Sequence, residues 1–413
     1  MSTGTTKTTP RSTSIVLLVI AVCLVAANMR PTITAVGPLL DQIGDDTGMA
    51  TATLGFITAV PLITWALVSP LAHDLSRRFG MSRVVLWALV LLLAGTIIRS
   101  LPGPVASLWI GTALIGVALA VANVLMPATV KRDFPGRTTG MMAVYTALLS
   151  GVGAVSSGVA VPLSHLAEGG AGWRVALLIS GGALLPFAIV AWAWATRGTH
   201  PVVTRRSGPR QRTGIWSDPV AWLVAAYMGL QSSVFYMLVT WLATISMSTG
   251  RSELLAGFDV MFYQLFALAG SILLPLALRG RAERFIPASL PLLGITGTLG
   301  LMIAPGGILL WSALLGLFAG SSLGMSLTLM AHRARDHDAS AALSGMSQSV
   351  GYIVAAIGPV AFGALHAFFG GWIAPLGLLL VVMSGLIVVG LLVGRDRYVL
   401  ESRRKDAAPR QSA

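Results

Sequence analysis

The sequence predicts an all-α polytopic membrane protein in which twelve transmembrane helices form two halves of six. Three features predict it: the composition, twelve long apolar stretches and a weak internal repeat. Of the 413 residues, 55% are hydrophobic and only 10% are charged, and the mean hydropathy is +0.80. Soluble domains carry about 25% charged residues. A water-soluble enzyme of this size is therefore excluded.

Twelve stretches are long enough to cross a bilayer, which requires about 20 apolar residues in a helix. The first stretch is much longer than the apolar core of a signal peptide, which has about 7–15 residues, so we expect it to be retained. We number the predicted spans 1 to 12. They cover residues 14–40, 50–72, 82–102, 105–128, 138–163, 173–196, 218–246, 253–278, 286–304, 307–331, 341–367 and 372–394.

The basic residues are distributed unequally between the two sets of connecting segments. Of the 28 Lys and Arg residues, 24 lie in the tails and loops of one set, and only Arg99, Arg174 and Arg251 lie in the other. Positive residues concentrate on the cytoplasmic side of membrane proteins. We therefore predict a plasma (inner) membrane protein with both termini in the cytoplasm. The net charge of +13 then indicates contact with anionic lipid and no nucleic acid.

An internal repeat relates the two halves of the chain. Residues 140–141 (Gly-Met) recur at 345–346, and the same offset places Gly153 on Gly358 and Gly158 on Gly363. Glycines inside spans indicate close helix packing. The predicted organisation is a cytoplasmic tail (1–13), an N-terminal half (14–196), a basic linker (197–216), a C-terminal half (217–394) and a second cytoplasmic tail (395–413).

Arg30 is the strongest functional candidate because it lies near the middle of span 1. A charge at that depth requires a cavity or a partner. Pro31 follows it and cannot donate a backbone hydrogen bond, so we expect the helix to be weakened at this point. A guanidinium group suits a carboxylate or another small anion. The alternative is a structural pair between Arg30 and a buried acid.

Polar and aromatic side chains within the spans complete the predicted binding site. Both asparagines of the chain and three of its six glutamines lie in spans. An amide beside an amphipathic ring suits a small, partly polar ligand. Hydrogen bonding between helices is the alternative role of each amide. The predicted site residues besides Arg30 are Asn28, Asn123, Gln231, Tyr236, Tyr263, Gln264, Gln348 and Tyr352.

Two further groups are candidates for coupling and gating. Asp259 lies within span 8 and is the candidate for proton coupling, the alternatives being an outer-surface carboxylate or a partner of Arg251 or Arg30. After span 2, Asp74 is followed by Arg77 and Arg78, which indicates a cytoplasmic gate closed by charge-assisted hydrogen bonds. Ordinary positive-inside charge explains the two arginines but not Asp74.

The six-plus-six arrangement and the loop after span 2 resemble the major facilitator superfamily. Residues 28–31 (NMRP), 37–40 (GPLL), 229–232 (GLQS) and 348–352 (QSVGY) are similar to its cyanate/nitroimidazole transporter branch. The spacing from Asp74 to the following glycine departs from the family signature. The resemblance implies a cavity between the halves, lined by helices 1, 4, 7 and 10 with 2, 5, 8 and 11 at its edges. It also implies transport by alternating access.

We therefore predict a secondary transporter for a small anionic or polar solute, aromatic solutes included, that binds near Arg30. The alternative within this class is a multidrug or nitroimidazole-type exporter working as a proton antiporter. A membrane enzyme, a receptor and a channel are the rival classes. No nucleotide-binding loop and no metal-ligand spacing occur in the sequence, and Cys23 is the only cysteine, so we expect no cofactor and no metal. The expected partners are the solute, protons and lipid, and we expect a monomer.

Overall fold

The computed structural model describes most of the chain. The described residues are 15–167, 172–197, 214–279, 283–335, 337–395 and 397–401. The predicted N-terminal tail, most of the basic linker and most of the C-terminal tail lie outside them. Within this part of the chain, the secondary structure consists of helices and turns without strands.

The prediction of twelve membrane spans is confirmed. Each is long and apolar enough to cross a bilayer. The spans are Ile15–Thr47, Thr51–Ala72, Met81–Ser100, Ala106–Asp133, Thr138–Ser164, Gly172–Ala195, Pro219–Ser248, Glu253–Ala277, Glu283–Ile303, Pro305–His332, Ala342–Phe369 and Ile373–Val393. The second helix continues beyond its apolar part, to Phe79.

Span 1 differs most from the prediction because it is broken in the middle and extends to Thr47. A regular helix covers Ile15–Met29, and a short helix restarts at Pro31–Thr34. The interruption lies at Arg30, as the missing amide proton of the proline predicts. A further helix, Leu40–Thr47, continues the span with polar residues and ends at Gly48, whose φ of 67° is left-handed.

The two halves repeat the same packing. In the N-terminal half, span 4 packs against spans 2 and 3, and span 1 packs against spans 5 and 6. In the C-terminal half, span 10 packs against spans 8 and 9, and span 7 packs against spans 11 and 12. The halves meet through spans 2 and 11 and through spans 5 and 8. These pairings are equivalent under an offset of six spans.

The repeated glycines lie at tight contacts, which confirms their predicted role in packing. A Cβ atom on Gly153 would lie 2.8 Å from the Arg30 Cβ, and one on Gly158 would lie 2.7 Å from the Met261 Sδ. Their counterparts Gly358 and Gly363 contact span 7 in the same way. At approaches this short, a larger side chain at these positions requires the neighbouring residues to move.

The halves are bonded to each other on the side of the molecule opposite the chain termini. Among the described residues, four side-chain hydrogen bonds join the halves. Their pairs are Asp41–Thr244, Gln42–Glu253, Thr58–Thr240 and Ser157–Gln264. We call this set of contacts the seal. It joins spans 1, 2 and 5 to spans 7 and 8.

Candidate functional site

A cavity of about 70 Å³ lies between the halves. Seven spans contribute to its wall: 1, 2, 4, 5, 7, 10 and 11. A single water requires about 10–15 Å³ by this measure, so the cavity suits a small solute. The lining residues are Met29, Arg30, Trp65, Asn123, Leu149, Met228, Gln231, Ser232, Phe235, Tyr236, Leu323 and Tyr352. No acidic residue is among them.

Arg30 provides the positive charge of the cavity. The break in span 1 places it at the turn between the two helical segments, where its side chain is half-buried. Its Cζ atom lies 5.5 Å from the centroid of the Phe235 ring, a cation–π contact. Across the described ranges, Arg30 forms no ion pair with a carboxylate. Its guanidinium donors are therefore free to bind a solute.

Aromatic rings form the wall beside the charge. Trp65 meets Tyr352 edge-on, with ring centroids 5.2 Å apart, and it meets Tyr236 at 6.3 Å. Phe235 contacts Tyr236 at 5.1 Å and Tyr263 at 6.0 Å. A flat aromatic solute can pack against such a wall while its polar end faces the guanidinium group.

The tyrosines near Arg30 differ in their relation to the cavity. Tyr236 and Tyr352 are lining residues, whereas the predicted site residue Tyr263 is not, although its ring contacts that of Phe235. Neither the hydroxyl of Tyr263 nor the indole N–H of Trp65 has a hydrogen-bond partner in the described structure. Buried donors without partners favour a ligand that accepts hydrogen bonds.

The structure separates the five predicted amides into two groups. Asn123 and Gln231 line the cavity. The other three bond elsewhere: the Asn28 amide donates to the Leu24 carbonyl at 2.7 Å, Gln264 donates to Ser157 at 2.6 Å, and Gln348 donates to Ser344 at 2.9 Å. Asn28 therefore serves its own helix, whereas Gln264 belongs to the seal between the halves.

Asp259 lies outside the cavity. Its carboxylate is fully buried and accepts hydrogen bonds from Arg251, at 2.9 Å, and from Ser246. All three residues belong to the C-terminal half. This is the pairing with Arg251 that the sequence left open, and the proton-coupling role of Asp259 stays a prediction.

The predicted cytoplasmic gate is open to solvent in this structure. Asp74, Arg77 and Arg78 are exposed at the end of the second helix, and Arg78 lies over the ring of Phe79 at 5.2 Å. Asp74 forms no ion pair with Arg77 or Arg78. Its gating role stays a prediction for a state in which the halves meet on this side.

Arg99 is a functional candidate that the sequence did not reveal. The distribution of basic residues assigns Arg99 to a connecting segment on the side opposite the termini. In the structure, however, Arg99 is only 2% exposed. Its Nη1 donates to the Thr32 carbonyl at 2.6 Å. Val36, the usual helical donor to that carbonyl, bonds Ile33 instead because span 1 is broken. Arg99 therefore fixes the segment that follows Arg30.

We expect Arg99→Met to weaken solute binding, because the segment after Arg30 loses the hydrogen bond that holds the Thr32 carbonyl. A hydrogen bond from a charged donor contributes about 1.5–3 kcal/mol to stability, so the variant should also unfold at a lower temperature. Binding and thermal unfolding of the purified variant test this. Arg174→Met is the control, because Arg174 pairs with Asp46 at the surface. Unchanged binding by Arg99→Met would contradict the assignment.

One protein-family model matches most of the chain and decides its family. Residues 18–359 match the model of the Major Facilitator Superfamily. The chain belongs to this superfamily. Its members are transporters, so the chain is a polytopic membrane transporter for small molecules and not an enzyme.

Two curated relatives support the narrower resemblance. The chain is 37% identical to the 2-nitroimidazole transporter of Escherichia coli (strain K12) over 388 residues, covering 93% of this chain and 97% of that protein. It is 26% identical to the cyanate transport protein CynX of the same organism over 387 residues, covering 92% and 98%. The predicted family assignment is therefore confirmed.

The solved structure of a D-xylose–proton symporter has the same fold. The two superpose with a TM-score of 0.73 over 93% of this chain and 98% of that chain, at 14% sequence identity. At this identity, the likeness supports the twelve-helix architecture alone. Groups of His, Cys, Asp or Glu able to hold a metal ion are absent from the described residues.

Proposed function

We propose that this transporter moves a small solute with one anionic or strongly dipolar end by alternating access. The observation that carries the proposal is the charge of the cavity: Arg30 is its only charged lining residue among those described. A guanidinium group without an acidic partner attracts carboxylate-like and nitro-like groups. The cavity volume limits the solute to a small molecule.

The aromatic wall favours a planar solute as the second candidate class. Trp65, Phe235, Tyr236 and Tyr352 offer ring surfaces beside the guanidinium group. A nitroaromatic compound would place its ring against this wall and its nitro group at Arg30. The relative described as a 2-nitroimidazole transporter supports this class, and the cyanate transport protein supports a small anion.

The contacts between the halves support alternating access. With both termini in the cytoplasm, as the distribution of basic residues predicts, the seal closes the outer side of the cavity. A second state would break the seal and bring the halves together at Asp74, Arg77 and Arg78. Both states leave Arg30 between the halves, near the middle of the membrane.

Counterflow in proteoliposomes tests the proposal. Vesicles loaded with unlabelled cyanate, 2-nitroimidazole or a small carboxylate should accumulate the same labelled solute transiently and saturably. D-Xylose is the control solute, because it offers no anionic group to Arg30 and should not exchange. Exchange of none of the acidic or nitro compounds would contradict the proposal. Uptake without saturation or counterflow would indicate a channel.

A further inference from the structure

Titratable groups from both halves meet within the seal. The Thr244 hydroxyl donates to Asp41 at 3.1 Å, and the Gln42 amide donates to Glu253 at 3.0 Å. His366 of span 11 interacts electrostatically with Asp41. We call Asp41, Glu253 and His366 the outer cluster. None of the three lines the cavity that contains Arg30.

Closure of the seal brings like charges together. Asp41 belongs to span 1, in the N-terminal half, and Glu253 begins span 8, in the C-terminal half. The charged groups that act on Asp41 are Asp45 of its own span, Glu253 and His366. Two carboxylates repel each other more strongly as the halves approach. A proton bound to the outer cluster removes this repulsion.

The hydrogen bonds of the cluster can accommodate such a proton. A hydroxyl group both donates and accepts, so Thr244 can donate to an ionised Asp41 or accept from a protonated one. His366 stacks its ring on Trp372 at a centroid distance of 4.0 Å. A proton on Asp41 keeps the bond to Thr244 and removes the repulsion from Glu253, so it favours closure.

We propose that the outer cluster is a proton-binding site whose occupation closes the seal. Because the closed state binds the proton more tightly, linkage requires that a fall in pH shifts the transporter toward closure. The site is separate from the solute site at Arg30 and does not depend on the identity of the solute.

Asp259, in contrast to Asp41, is not bonded to the other half of the molecule within the described residues. Its partners Arg251 and Ser246 lie in its own half. These contacts do not need to change when the halves separate. We therefore expect Asp41→Asn, but not Asp259→Asn, to change the response of the seal to pH.

A distance measurement without solute tests the proposal. Spin labels are attached to Ala50→Cys and Thr249→Cys, which are exposed positions beside the seal on opposite halves, in a Cys23→Ser background. Double electron–electron resonance in lipid nanodiscs then measures the distance between the two labels and so reports the closed and open populations. On lowering the pH from about 8 to about 5, the closed-to-open ratio should rise at least about fivefold. In Asp41→Asn, this pH response should be lost.

The controls separate the possible outcomes. Asp46→Asn should keep the response, because Asp46 bonds Arg174 and Trp173 within its own half. Glu253→Gln should reduce the response and serves as the deciding variant if Asp41→Asn does not fold. A wild-type ratio independent of pH overturns the proposal, as does a response that survives in Asp41→Asn or disappears in Asp259→Asn instead. Because no solute is present, none of these results bears on Arg30, and a failure of counterflow leaves the proton site standing.

Discussion

Replacing Arg30 with alanine should weaken solute binding by roughly 100-fold and abolish measurable counterflow. Loss of one partner from a buried, hydrogen-bonded charge pair costs about 2–5 kcal/mol, and about 3 kcal/mol corresponds to this factor. Arg30→Lys should recover only part of the affinity, because an ammonium group lacks the planar pair of donors. Equilibrium binding and counterflow with the solute found in the wild-type screen measure both effects.

Arg284→Ala is a matched control for this experiment. Arg284 also lies over an aromatic ring, that of Phe285 at 4.6 Å, but both residues are exposed and distant from the cavity. Its loss should leave binding and counterflow unchanged. If Arg30→Ala bound the solute within about threefold of the wild type, an energy of less than about 0.7 kcal/mol, Arg30 would not belong to the site.

The twelve-helix fold could be predicted because the bilayer imposes a length and a polarity on each span. Arg30 could be predicted for the same reason: a charge inside an apolar stretch requires an explanation. Trp65 could not, because tryptophan is ordinary in an apolar helix and only the packing of span 2 against spans 7 and 11 brings it to the cavity.

The direction in which each buried amide points could not be predicted from the sequence either. Asn28 and Arg30 are two residues apart, yet only Arg30 lines the cavity, because the position of each depends on the break in span 1. Gln264 depends on the other half of the molecule, since its partner Ser157 is on span 5. Arg99 was hidden by its position near the end of a span, where an arginine usually reaches the membrane surface.

A chain of hydrogen bonds and one packing contact connects the seal with Arg30. Gln264 donates to Ser157, whose hydroxyl donates to the Thr34 carbonyl at 2.9 Å. The Thr34 hydroxyl in turn donates to the Gly153 carbonyl at 2.8 Å, and Gly153 packs against Arg30. In the proposed mechanism, a solute that moves Arg30 acts through these contacts on residues that join the two halves.

Gly37→Ala should open the seal and inhibit transport. A Cβ atom at this position would lie 2.1 Å from the carbonyl oxygen of Val239 on span 7, so the present approach of the halves tolerates only glycine. In a state where the halves separate on this side, the added methyl group has room. Overpacking of this kind costs about 1–3 kcal/mol, which changes a conformational equilibrium by roughly 5- to 150-fold.

The spin-label pair at Ala50→Cys and Thr249→Cys measures this shift directly as a loss of the short-distance population. Gly377→Ala is the control, because a Cβ atom there would meet nothing within 4 Å, and it should keep the wild-type distances. Gly37→Val should shift the population further than Gly37→Ala, because its larger side chain needs a wider separation. A wild-type distance distribution in both Gly37 variants would show that closure of the seal does not require contact between spans 1 and 7. Solute exchange should fall in the same order, since a transporter held in one state binds its solute but does not complete the cycle.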